Sequence, residues 1–126
     1  MTNDLVLPQP EPIHNDQPAT WDLVMEDIKK HVVTVRDGEL LVQLMTTDAR
    51  DRNAHGIGTY GTPLQPHNGR DSLVDAYQEG LDYLVYLRNA HVEASPAEAF
   101  SVFALCKDAL GSVAGLRWMI YRRDGK

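Results

Sequence analysis

Several large classes of protein are excluded by what this chain of 126 residues has little of. With one cysteine, Cys106, it cannot close an internal disulfide, and that residue ends the apolar run Phe103, Ala104, Leu105, Cys106, where a buried structural thiol in a reducing compartment is the expectation. Twelve lysines and arginines stand against 18 aspartates and glutamates, a net charge of -6, so the clustered basic footprint that binds a nucleic acid polymer by releasing counterions is missing. No stretch reads as the roughly 20 consecutive apolar residues of a membrane span, and Met1, Thr2, Asn3 and Asp4 do not begin a secretory signal. A cytoplasmic protein without a membrane partner is expected. None of the five histidines is spaced from another histidine or a cysteine as structural zinc requires, no GK[ST] follows a glycine loop, and no nucleophile elbow is present.

What remains has the composition of a chain that folds: 43% hydrophobic and 24% charged residues, with length for one core. Residues 1–18 carry Pro8, Pro10, Pro12 and Pro18, which prevent a continuous helix, so an extended arm is expected there, with a loosely ordered tail as its commonest form. Residues 19–126 are expected to form a single helical domain. The first helix runs from Ala19 to about Val33, with Trp21, Val24, Met25, Ile28 and Val32 as its apolar stripe, Thr20 as N-cap and Glu26 paired with Lys30. A turn at Arg36, Asp37 and Gly38 leads into a second helix from Glu39 to about His55, closed by Gly56. Its stripe, Leu41, Leu44 and Met45, continues as Asp48, Asp51 and Arg52.

The glycines and prolines of residues 56–69 predict a loop, and a third helix follows from about Arg70 to Ala90. Val74, Tyr77, Leu81, Leu84, Val85 and Arg88 share one side of it, and Asp75, Glu79 and Asp82 the other. Ser95, Pro96 and Glu98 combine a capping box with proline at the first helical position, which starts a fourth helix reaching about Leu110. Gly111 and Gly115 leave residues 112–121 open between helix and strand, and helix is preferred. The fold class expected is all-α, a bundle of four to five helices.

At 100° per residue, Asp75, Glu79 and Asp82 fall within an arc of about 60°. A row of carboxylates suits Mg²⁺ or Mn²⁺, which take oxygen ligands and bridge to phosphates. Acidic residues on the polar face of a helix are also ordinary, and ion pairs with Arg50, Arg52, Arg70 or Arg88 compete with a metal for the same carboxylates. Asp48 and Asp51 sharpen the case for metal. They extend an apolar line that should pack inward, where unpartnered charge costs several kcal/mol. At the start of the third helix, Arg70 could clamp a phosphate, or Asp71 could cap the helix. His67 could donate to phosphate and Tyr60 could stack on a base.

On these residues the chain resembles the all-α nucleoside triphosphate pyrophosphohydrolases, the MazG-like group that also includes dimeric dUTPases. That family carries an ExxE-type pair on one helix and ExxD on a later one. Here Glu79, Gly80, Leu81 and Asp82 match ExxD, and Asp48 with Asp51 stand in the place of the first pair. Aspartate replaces glutamate in that pair, Thr47 stands where a further glutamate is usual, and Gly80 interrupts the second motif. The resemblance covers residues 39–90, and the segment from Gly56 to Arg88 also looks like small phage and actinobacterial proteins of this type.

The resemblance implies Mg²⁺-dependent hydrolysis between the α and β phosphates of a nucleotide. Asp48, Asp51, Glu79 and Asp82 would be metal ligands, Asp75 and Glu79 catalytic, and Tyr60, His67, Asn68, Arg70 and Arg52 substrate-facing. It also implies a homodimer or homotetramer. Two alternatives stay open: a non-catalytic helical module that binds a nucleotide or a protein partner, possibly phage-encoded, and a structural oligomer whose acids are paired with arginines.

Overall fold

The computed structural model describes residues 3–126 and is helical throughout, with no strand among those residues. Four α-helices follow in order: α1, Thr20–His31; α2, Gly38–Tyr60; α3, Ser72–Glu93; and α4, Ala99–Asp124. Short 3-10 turns stand at Asp4–Val6 and Val32–Thr34. Contacts group the chain into two compact units, one holding the chain up to Gln9 with Asp71–Lys126 and the other holding Pro10–Arg70. The proline arm is divided between them and is part of both.

The unit Pro10–Arg70 is a hairpin of α1 and α2. Ala19, not Thr20, occupies the N-cap of α1, with no side-chain cap, and Lys29 rather than Lys30 pairs with Glu26, at 3.3 Å. Small residues set the contact with α2: Gly38, Thr46 and Ala49 are its buried positions, and Thr46 returns its hydroxyl to the Val42 carbonyl at 2.6 Å. Gly38 is required sterically, since a Cβ there would collide with the Val32 and Val33 carbonyl oxygens. The buried line therefore runs through Val42, Thr46, Ala49 and Asn53, while Leu44, Asp48, Asp51 and Arg52 face outward. This corrects the expectation that Asp48 and Asp51 continue an inward face: choosing the large apolar residues as the stripe missed that the close approach uses small ones.

Helix α2 also runs five residues past its expected end. Gly56 and Gly58 lie within it, and the left-handed cap is Gly61 at φ 77°, whose amide bonds the Ile57 carbonyl at 2.7 Å. Tyr60 is thus the last helical residue, not part of a loop.

The second unit is an antiparallel hairpin of α3 and α4, with its contacts descending in order: His91 to Phe103, Cys106 to the Leu87 carbonyl, Gly80 to Val113, Arg117 to Tyr77 and Arg123 to Asp71. Val74, Ala109, Val113 and Ile120 are buried along it, with Leu5 from the Asp4–Val6 turn closing one end. Gln78 holds that turn by donating to the Leu5 and Leu7 carbonyls, each at 2.8 Å. Helix α4 is continuous through Gly111 and Gly115, so residues 112–121 are helical. The capping box does not form: Pro96 to Glu98 make a turn, and Glu98 stands at the N-cap without a side-chain bond. Unbroken, α4 is long and apolar enough to cross a membrane by length and composition alone.

Gly80 lets the two helices meet. A Cβ placed on it would stand 2.9 Å from Val113 Cγ2, and Val113 is itself buried. Gly80→Ala gains about 1 kcal/mol of helix propensity and loses about 1–3 kcal/mol to overpacking. The expected result is a lower melting temperature by calorimetry, reversed in sign when Val113→Ala is already present. A rise in the single variant would show that the contact does not set the helix spacing.

Candidate functional site

The acidic residues singled out by the sequence lie on two helices that belong to different units. Asp48 and Asp51 are exposed on α2, and Glu79 and Asp82 are exposed on α3. None of the ion pairs among the described residues involves any of the four. Nor do they form a finished metal centre: among the described residues no three histidine, cysteine, aspartate or glutamate side chains gather closely enough to hold an ion. On α3, Glu79 and Asp82 border a shallow depression with Gly80, Tyr83 and Tyr86.

Asp75 is differently placed. It is half-buried, and its Oδ1 accepts from Gln9 Nε2 at 2.6 Å. The same carboxamide pairs twice with the backbone of Asp71, donating to its carbonyl at 2.8 Å and accepting from its amide at 2.7 Å. One glutamine of the arm thereby fixes the first turn of α3 and one of its carboxylates. Nothing in the arm's composition marked Gln9. A carboxamide that can donate and accept at once, beside prolines that leave carbonyls free, was the available signal.

Asp71 takes the capping role at the start of α3. It is the N-cap, accepting from the Val74 amide at 3.3 Å, and it also forms a bidentate pair with Arg123 at 2.6 and 3.1 Å. Arg123 holds Asp124 as well, at 2.7 Å. Its hydrogen bond holds the Asp71 carboxyl below the ordinary value, an effect that partial burial opposes and the Val74 amide assists. The same guanidinium lowers Asp124, and the two carboxylates together raise Arg123. Arg123, at the far end of α4, lay outside the segment that carried the family resemblance.

The substrate-facing candidates fall in the unit Pro10–Arg70, and most are committed to holding the arm. Asn68 is buried; its Oδ1 accepts from the Arg70 amide at 3.1 Å, and its carbonyl accepts from the Ile13 amide at 2.7 Å. Arg70 donates to the Pro10 carbonyl at 2.6 Å. His67 is exposed in the left-handed region, at φ 55°, and its carbonyl accepts from Asn15 Nδ2 at 2.9 Å. Tyr60 and Arg52 are exposed. The arm is therefore not a loose tail. Gln65, buried, completes the clasp: its Nε2 donates to the Asn15 and Gln17 carbonyls at 2.7 and 2.8 Å, and its Oε1 accepts from the Asn15 amide at 3.2 Å. The side-chain oxygen of Asn53, on the inner face of α2, is buried with no hydrogen-bond partner.

Two outcomes follow from this bonding. Gln65→Ala strands three backbone groups of the arm and should cost about 1–3 kcal/mol in urea unfolding followed by circular dichroism; an unchanged midpoint would mean the arm is not fastened. The Arg123 fork sets a pH dependence. Asp71 and Asp124 are both held below their ordinary value of 3.8, so the stability they confer is complete above that pH and is lost as the pH falls through their lowered values. The melting temperature of Arg123→Gln should accordingly start lower at neutral pH and fall less than that of the unaltered chain below pH 3.8. Parallel curves would place the acid sensitivity elsewhere.

Chemically, the exposed acids are oxygen donors without an ion-pair partner among the described residues, the tyrosines of α3 give the depression beside Glu79 an aromatic edge, and Arg70 bonds the arm while the His67 side chain stays exposed. No family model, curated protein or solved structure matches the chain.

Proposed function

We propose that the protein is a Mg²⁺-dependent nucleoside triphosphate pyrophosphohydrolase of MazG-like type, converting a nucleotide to its monophosphate and pyrophosphate. The observation that carries the reading is the uncommitted state of four carboxylates, Asp48, Asp51, Glu79 and Asp82, on a chain that has arginines to spare and does not pair them. Their donor chemistry fits Mg²⁺ or Mn²⁺, and the ion would polarise a phosphoryl oxygen and lower the pKa of a bound water. Asp75, fixed by Gln9, would orient the ligand set from behind, and the exposed Tyr60 and His67 would meet the nucleotide.

A second reading is favoured by one observation. The outer faces of α3 and α4 expose Tyr83, Val85, Tyr86, Val92, Phe100 and Trp118, more apolar surface than a catalytic role uses. On that reading the chain is a helical interaction or nucleotide-binding module without chemistry.

Incubation with each ribo- and deoxyribonucleoside triphosphate and Mg²⁺ separates the two. The pyrophosphohydrolase should release pyrophosphate from at least one nucleotide and lose activity in EDTA. Glu79→Gln or Asp82→Asn should lower the rate at least about 100-fold. Both side chains are exposed and unbonded, so metal-free melting should not drop. No release from any nucleotide, with the chain folded, ends the hydrolase reading and leaves the binding module.

A further inference from the structure

Asparagine followed by glycine is the pair in a chain most open to attack on itself, because glycine has no Cβ to keep its backbone nitrogen away from the asparagine side-chain carbon. This chain holds one such pair, Asn68 and Gly69; its other asparagines precede aspartate or alanine. The pair lies in the turns between α2 and α3, where Gly69 takes φ 83° and an added Cβ would stand 3.0 Å from Ile13 Cδ1. The fold therefore requires the very glycine that makes its neighbour reactive.

A donor for the reaction is in place. The Arg70 amide donates to Asn68 Oδ1 at 3.1 Å, where it draws charge from the side-chain carbon and would hold the oxyanion formed when the Gly69 nitrogen adds there. The new carbon–nitrogen bond closes a succinimide ring, the side-chain amide leaves as ammonia with the proton that Gly69 gives up, and one water opens the ring to aspartate or isoaspartate. No oxidant or cofactor enters. Two features oppose the first step while the arm is seated. Asn68 is 7% exposed, and its carbonyl accepts from the Ile13 amide at 2.7 Å, which fixes the backbone that must turn to bring nitrogen to carbon. Asn15 Nδ2 ties down the Pro66 and His67 carbonyls, each at 2.9 Å, and Gln65 in turn holds Asn15.

We propose that Asn68 is a self-modification site gated by the arm: it is shielded while residues 13–17 are seated and converts to aspartate or isoaspartate when they lift. Conversion also keeps the arm from closing again. It puts a carboxylate where a buried carboxamide stood, and a buried charge is costly without a partner. In isoaspartate the main chain gains a carbon as well, which moves the carbonyl that Ile13 uses. The step therefore runs one way, and each opening of the arm that leads to conversion is recorded in the covalent structure. The inference is independent of the hydrolase reading and survives its failure.

Incubation of the full chain in mildly alkaline buffer, then digestion and mass spectrometry, reads conversion as the mass gained when an amide nitrogen is exchanged for oxygen. Enzymatic methylation counts the isoaspartate. Asn53, followed by alanine, is the internal control and should stay an amide. The native chain should convert Asn68 about 100-fold more slowly than the chain unfolded in guanidinium chloride. Gln65→Ala and Asn15→Ala each loosen the arm and should speed native conversion about tenfold, with the helices intact by circular dichroism. Asn68→Asp puts the product in place and should speed solvent exchange of the Ile13 amide, followed by NMR. Equal conversion in native and unfolded chains, no acceleration in either arm variant, or an Ile13 amide as protected in Asn68→Asp as in the unaltered chain overturns the proposal.

Discussion

The close approach of α3 to α4 at Gly80 sets what every other residue of that hairpin can do. With a hydrogen in place of a side chain, Val113 reaches the α3 backbone, and Ala109 and Ile120 are drawn in on either side of it. A helix seated that firmly has one rotational setting. Glu79 and Asp82 are then turned to one flank of the hairpin, and Val85, Val92 and Leu110 to another. An alanine-lined contact would give similar burial with a wider spacing, and the groove over Cys106 would open with it. The glycine that departs from the ExxD pattern of the resembling family thus has a packing cause in this chain.

Carboxamides play the corresponding part in the arm. Proline removes amide donors from residues 8, 10, 12 and 18, so the segment cannot satisfy itself by regular backbone pairing. Gln9, Asn15 and Gln65 supply what is missing, each bonding backbone groups distant in sequence, and the Asn68 backbone carbonyl accepts from the Ile13 amide. Such bonds contribute little net free energy while intact, about 1 kcal/mol each, yet leave costly unpaired groups when one partner is removed. That asymmetry keeps an irregular segment in one conformation without an apolar core beneath it.

The existence and type of the helices were legible in the sequence because periodicity at 3.6 residues survives wherever one face is buried. The ends were less so, and for one recurring reason. Gly56, Gly58, Gly111 and Gly115 read as punctuation, but glycine within a helix costs only about 1 kcal/mol, and flanking residues of good propensity carry the helix through. The stripe of α2 was misread because large side chains were taken to mark the interior, whereas Gly38, Thr46 and Ala49 mark it. Of the site residues, Asp71 as a cap was foreseeable from its place before an apolar run. Gln9 and Arg123 were not, since their partners lie 62 and 52 residues away and no local pattern links them.

The electrostatics of α3 bear on why its acids are left open. Asp75, Glu79 and Asp82 crowd one side of a helix at spacings of four and three residues, where like charges destabilise by a few tenths of a kcal/mol per pair. Asp75 is relieved by Gln9, and Asp71, one turn earlier, by Arg123. No ion pair among the described residues reaches Glu79 or Asp82, and Arg88, on the opposite side of the helix, bonds His91. Glu79 and Asp82, exposed beside Tyr83 and Tyr86, keep a net negative point on that face of the hairpin. A local excess of negative charge of this kind is a point to which a cation is drawn.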